Sequence, residues 1–165
     1  MDDKMTVTFL GTGSSRGIPI IGSKHPVCLS TNPKDKRLRV SVLVSWKNYN
    51  FVVDCGPDFR QQMLTNPIDK LDGILFTHEH ADHTAGIDDI RPFFFRQGDI
   101  PIYAHERVVT SIKERFHYIF ADENRYPGAP AVEINTIKNN KPFRIGNLMA
   151  IPIEALHNRL QVFWV

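Results

Sequence analysis

Three observations predict a mixed α and β fold in a single domain over residues 1–165. Strand-like segments cluster at the front of the chain and then alternate with helical ones, Gly and Pro punctuate the elements at short intervals, and no internal repeat or low-complexity tract breaks the order. With 165 residues, 42% of them hydrophobic, the chain can bury a core without disulfides.

The elements follow in order. Residues 6–10 alternate polar and apolar side chains ahead of Gly11-Thr12-Gly13-Ser14-Ser15, which reads as a strand and a glycine turn, and a loop runs on through Pro33. Residues 39–46 and 51–54, β-branched and aromatic, flank Lys47-Asn48-Tyr49-Asn50 and predict a hairpin. Pro57 suits the start of a helix over 58–64, with Phe59, Met63 and Leu64 on its apolar side. Residues 73–77 read as a short apolar strand, 85–90 as a helix that stops before Pro92, and 100–104 as another strand. The longest helical pattern is 105–120, where Val108, Val109, Ile112, Phe116, Ile119 and Phe120 recur at spacings of three and four. A loop at Tyr126-Pro127-Gly128-Ala129-Pro130 precedes strands at 131–137 and 148–153, a turn at His157-Asn158-Arg159 and a last apolar strand at 160–165.

Charge narrows the function. Twenty Lys plus Arg against 18 Asp plus Glu exclude a nucleic-acid binder that relies on bulk positive charge, and no extended nucleic-acid surface is evident. A small anionic substrate stays open. No apolar run approaches the ~20 residues of a membrane span. Met1-Asp2-Asp3-Lys4 lacks the basic, apolar start of a secretory signal, so a cytoplasmic location away from membranes is expected. Cys28 and Cys55 make no disulfide framework.

The chemistry concentrates in Thr77-His78-Glu79-His80-Ala81-Asp82-His83, directly after an apolar strand. In extended chain, residues two apart project to the same side, so His78 and His80 can offer two imidazoles to one cation. Asp82 and His83 come a turn later, beside a helix start whose positive end tolerates the carboxylate and which could face a second cation. Two adjacent cations can clamp both oxygens of a displacement, a physical reason for so many ligands in one loop. A solvated, helix-capping turn is the plainer alternative, and the density of ligand types argues against it.

His-x-His-x-Asp-His after an apolar strand resembles the metallo-β-lactamase fold. Phe9-Leu10-Gly11-Thr12-Gly13-Ser14-Ser15-Arg16-Gly17-Ile18-Pro19, Phe51-Val52-Val53-Asp54-Cys55-Gly56-Pro57-Asp58-Phe59-Arg60-Gln61-Gln62, His83-Thr84-Ala85-Gly86-Ile87-Asp88-Asp89-Ile90-Arg91-Pro92 and Pro101-Ile102-Tyr103-Ala104 resemble its phosphodiesterase branch, near the cyclic phosphodiesterase of the phosphonate-degradation operon. The resemblance implies an αβ/βα sandwich, here an α+β N-terminal half plus part of the second half. It also implies two divalent metal ions, Zn or Mn, in the full-length family. His78, His80 and His157 would hold one, and Asp82 and His83 the other. Asp54 would orient a ligand histidine from outside the coordination sphere, as ligand-supporting carboxylates do. Without the resemblance, His157 is a histidine in a turn and Asp54 a turn cap before Pro57.

The implied reaction is phosphodiester hydrolysis by a metal-bound hydroxide, with Asp82 as catalytic ligand and a small phosphodiester or nucleotide-like molecule as substrate. The glycine loop at 11–15 either faces a phosphate or is a plain tight turn. Arg91 and Arg96 either contact a substrate anion or pack at the surface. Departures from the pattern set further expectations. Only His25 and Cys28 remain where relatives bind a structural zinc through more cysteines, and Trp164 stands near a position that relatives give a small residue. The chain is expected to be C-terminally incomplete, to hold one cation rather than two or be poorly active, and, with strands such as 40–44 partly open, to associate, aggregate or be of low stability. A metal-binding fragment that is non-catalytic or needs a partner, and a thioester or lactone hydrolase on the same fold, are the alternatives.

Overall fold

The computed structural model describes residues 4–121, 123, 125–157 and 160–164, and at Gln161, Phe163 and Trp164 the backbone alone. Trp164's packing, the turn at Asn158-Arg159 and the extreme N-terminus therefore lie outside the described residues.

A six-stranded sheet runs in chain order: β1 (Met5–Gly11), β2 (Ser41–Trp46), β3 (Tyr49–Val53), β4 (Gly73–Leu75), β5 (Ile100–His105) and β6 (Val132–Ile137). The first three strands pair antiparallel and the last three join parallel. Such parallel steps need crossovers. Here helices supply them: α2 (Phe59–Thr65), α3 (Ala81–Thr84), α4 (Arg91–Gln97) and α5 (Glu106–Arg115), after a short α1 (Pro26–Leu29). Two separate hairpins follow, β7 (Phe143–Ile145) with β8 (Leu148–Ala150), and β9 (Ile153–His157) with β10 (Leu160–Trp164).

One face of the sheet carries Leu43, Val52, Ile74 and Ile102 and packs against Phe59, Phe93, Val108 and Ile112 of the helices. The other face carries Phe51, Leu75, Tyr103 and Ile137, which Ile145 and Leu148 of the β7–β8 hairpin cover. That cover does not reach the sheet edge. Met5, Val7 and Phe9 of β1 alternate along this face at 45%, 52% and 70% exposure.

Several sequence expectations shift. The β2–β3 turn is only Lys47-Asn48, with Lys47 at φ 54° and Tyr49 already paired to Trp46. In α2 the buried partner of Phe59 is Gln62, whose amide donates to the Arg39 carbonyl at 2.9 Å, while Leu64 is exposed. The expected helix at 85–90 is instead α3 followed by a 3-10 turn at Ile87–Ile90, and Pro92 opens α4 rather than ending a helix. A proline is tolerated there because first-turn N–H groups lack intrahelical acceptors. The 105–120 pattern divides at Phe116 into α5 and a 3-10 turn. The 148–153 strand breaks at Ile151-Pro152, between β8 and β9, and β7 was not anticipated.

Candidate metal centre

The site grows from the ends of β3 and β4, which the register of Val53 with Leu75 places side by side. Asp54, the next residue after β3, turns the chain at φ 62°, a conformation that aspartate tolerates better than most residues. Its backbone is fixed on both sides: its N–H donates to the Leu75 carbonyl at 2.9 Å and its carbonyl accepts from Ser41 Oγ at 2.8 Å. The loop after Asp54 then packs flat on the motif. Cys55 N–H donates to the His83 carbonyl at 2.8 Å and Gly86 N–H to the Cys55 carbonyl at 2.9 Å. A Cβ at Gly56 would lie 2.0 Å from the Asp82 carbonyl oxygen, and one at Gly86 would lie 2.1 Å from that of Gly56. Both glycines are thus required by contact between backbones.

Asp54, buried at 3% exposure, faces the motif. Its Oδ1 accepts from Thr77 N–H at 2.8 Å, and its Oδ2 accepts from Thr77 Oγ1 and from His83 Nδ1, each at 2.7 Å. Because the Thr77 hydroxyl spends its proton on Asp54, it receives one from His78 Nδ1 at 2.9 Å. That fixes the His78 tautomer and leaves the Nε2 lone pair free. The lone pair points to His80 Nδ1, 3.2 Å away.

His157, at the end of β9, completes the group, and the ligand nitrogens of His78, His80 and His157 all lie within 4.8 Å of one another. Burial, with His83 next to it, pushes His78 down to about 4, so its imidazole is neutral at ordinary pH. Burial also opposes charge on His83, but the Asp54 and Asp82 carboxylates outweigh it and raise its pKa. His83 Nε2 lies 3.2 Å from Asp82 Oδ2, an N,O pair beside the histidine group.

This donor set fits a divalent cation. Zinc bonds to nitrogen run ~2.0–2.1 Å, which makes a tetrahedral edge about 3.3 Å, close to the His78 to His80 separation. Three imidazole ligands suit Zn and its neighbours.

Two residues absent from the sequence-based reading support the loop from behind. Arg115 of α5 donates through Nη2 to the Glu79 carbonyl at 2.6 Å and to Thr84 Oγ1 at 3.0 Å, and the fully buried Thr84 hydroxyl donates to the His80 carbonyl at 2.9 Å. Arg107 reaches Glu79 Oε2 at 3.2 Å. Their sequence trace was faint: basic residues on the polar side of an amphipathic helix, where solvation is the usual reason for them.

The remaining candidates lie elsewhere. His25 Nδ1 caps α1 by accepting from Val27 N–H at 3.3 Å, and Cys28 Sγ accepts from Ile20 N–H at 3.5 Å. Neither joins a group of three ligands among the described residues. Arg91 is paired with Asp88 at 2.6 Å, and Arg96 lies over the Phe93 ring at 4.9 Å. In the 11–15 loop Gly13 N–H donates to the Leu38 carbonyl at 2.8 Å, and a Cβ at Gly11 would meet the Arg39 carbonyl oxygen at 2.0 Å.

Residues 49–163 match the family described as the Beta-lactamase superfamily domain. The chain belongs to that family. Its fold is that of a diphosphatase from the PhnP family, superposing with a TM-score of 0.86 at 35% identity over 97% of this chain and 61% of that one. It is also similar to the octanoyltransferase of Porphyromonas gingivalis, 40% identical over 96% of this chain and 32% of that protein. Ribonuclease Z of Methanocaldococcus jannaschii is 27% identical over 70% of this chain and 34% of that protein. The chain thus spans about a third of these two curated relatives. The expected kinship with the phosphodiesterase branch of the metallo-β-lactamase fold stands, and no described helix is long and apolar enough to cross a membrane.

Proposed function

We propose that this chain carries the metal-binding site of a phosphodiester hydrolase acting on a small, nucleotide-like phosphodiester. The observation that carries the reading is the convergence of His78, His80 and His157 with the Asp54 to Thr77 to His78 hydrogen-bond relay behind them. A bound Zn or Mn ion would supply Lewis acidity toward phosphate oxygens and acidify water. The protein's own part is orientation and proton handling. Asp54 fixes the Nδ1 protons of His78, through Thr77, and of His83 directly, so that both Nε2 atoms face the site. Asp82, partly exposed and 3.2 Å from His83 Nε2, is the carboxylate to which this reading gives the proton of an attacking water. The PhnP-family diphosphatase and ribonuclease Z, named for phosphoryl substrates, support this choice of bond.

Cleavage of bis-(p-nitrophenyl) phosphate in the presence of Zn or Mn, abolished by His80→Ala, is the expected result. A chain that binds the cation at His78, His80 and His157 yet cleaves no phosphodiester overturns the reading. The octanoyltransferase relative favours a second reading, hydrolysis of a thioester or other acyl ester at the same histidines. Turnover of octanoyl thioesters with no phosphodiester cleavage selects it.

A further inference from the structure

A second feature stands at the same end of the sheet as the histidines. The register of Phe9 with Val42, Val42 with Val53 and Val53 with Leu75 puts the exits of β1, β3 and β4 at one end of the sheet. Beside the exit of β1 is an open groove of about 450 Å³ whose lining includes Phe9, Thr12, Lys34, Lys36 and Arg37 and no carboxylate. Three strand spacings separate it from the end of β4, ~14 Å.

Its cations are held ready rather than neutralised. Arg37 Nη1 donates to Thr12 Oγ1 at 2.8 Å, and its backbone pairs with Ile18 on both sides at 2.8 Å. Lys36 Nζ donates to the Ser30 carbonyl, which leaves two of its N–H donors unspent. Lys34 sits in a 3-10 turn capped by the Asn32 side chain. None of the three forms an ion pair among the described residues, although Asp35 lies between them in sequence and Arg39 next door is paired with Asp58. Phe9 presents its ring beside them at 70% exposure. Local charge of one sign next to an exposed aromatic is the chemistry that holds single-stranded nucleotides, cations taking phosphates and the ring taking a base.

We propose that this groove binds a nucleotide of a short single strand beyond the scissile bond, with Lys34, Lys36 and Arg37 on its phosphate and Phe9 stacked on its base. The assignment rests on the phosphodiester reading of the histidine site and extends it from a small diester to an oligonucleotide. Phosphate recognition then falls to the side chains of Lys34, Lys36 and Arg37 beside the glycine loop, whose Gly13 N–H is spent on the Leu38 carbonyl.

The test is fluorescence anisotropy of 5′-labelled hexathymidylate with the metal-loaded chain, read as binding so that turnover is not needed. Lys34→Glu/Lys36→Glu, which alters exposed side chains only, is expected to weaken binding at least about tenfold and to lower the salt slope by about 1.4, two phosphates' worth. Phe9→Ala is expected to weaken it about tenfold with an unchanged salt slope. Equal binding by the charge-reversed variant overturns the assignment, as does full competition by inorganic phosphate at concentrations matching the oligonucleotide's phosphate content. Groove-dependent binding without cleavage of any phosphodiester keeps the groove and sinks the reading of the histidine site.

Discussion

Asp54 Oδ2 meets His83 Nδ1 at 2.7 Å while the same oxygen accepts the Thr77 hydroxyl at 2.7 Å, so one buried carboxylate sets the orientation of two histidines. An amide in its place keeps the shape but can oppose an N–H with its own NH₂. Asp54→Asn is expected to weaken cation binding by about 10- to 100-fold, the usual cost of losing such a supporting group. Competition against a chromophoric chelator measures it, and unchanged affinity removes Asp54 from this role.

Thr77→Val isolates the relay to His78. Valine keeps the volume and removes the hydroxyl between Asp54 and His78 Nδ1, so His78 loses its tautomer constraint while His83 keeps its own. Co(II) absorption that changes in Thr77→Val but not in Thr77→Ser is the expected signature.

Arg115 ties Glu79 and Thr84 together from α5. Arg115→Met keeps the aliphatic stem and removes the donors, at an expected cost of about 1.5–3 kcal/mol for hydrogen bonds from a charged group, less what solvent screening recovers. Urea unfolding reads the stability, and cation affinity should fall in parallel. Weakened folding with intact affinity would assign Arg115 to the scaffold alone.

Gly86→Ala places a methyl group 2.1 Å from the Gly56 carbonyl oxygen, and both partners are backbone. Relief requires moving α3 off the loop at 54–56, so a loss above about 3 kcal/mol is expected, in the long tail of substitution effects. A urea midpoint within error of the parent protein contradicts the close packing.

Acid should loosen the metal-free chain. His78 titrates near 4 when folded against 6.5 as an ordinary imidazole, so between these values the unfolded state binds more protons and stability rises with pH, levelling above about 6.5. His83 acts oppositely: its raised pKa lends stability that is present below 6.5 and lost as pH rises through that pKa. Below pH 6.5 the His83 contribution is already fully present and constant, so the His78 contribution sets the sign there. Metal-free melts at pH 4.5 and pH 7 that coincide, or a higher Tm in acid, contradict this balance.

Most of the central sheet was legible because β1 to β6 are short runs of apolar residues between turn signals, and the motif was legible because His78, His80, Asp82 and His83 are contiguous. What escaped was tertiary. Nothing local says that Pro92 opens a helix rather than closing one, since the two readings differ only in what the preceding turn does. Gln62 beats Leu64 for the interior because a backbone carbonyl of Arg39 lies there needing a donor. Thr77 and Arg115 carry no motif of their own, and their roles exist only once β3 and α5 are packed.

The position of His157 has a consequence for the chain as a polymer. Its partners His78 and His80 leave β4, whereas it arrives on a hairpin outside the six-stranded sheet, so a cation shared by the three is a cross-link. Closing a loop of nearly eighty residues costs about 4 kcal/mol of chain entropy by ideal-chain scaling, and cation binding must supply what the β9–β10 hairpin's own packing does not. Occupancy of the site and docking of that hairpin are therefore one equilibrium. Chelation should open the segment around residues 138–157 to proteases before the central sheet yields.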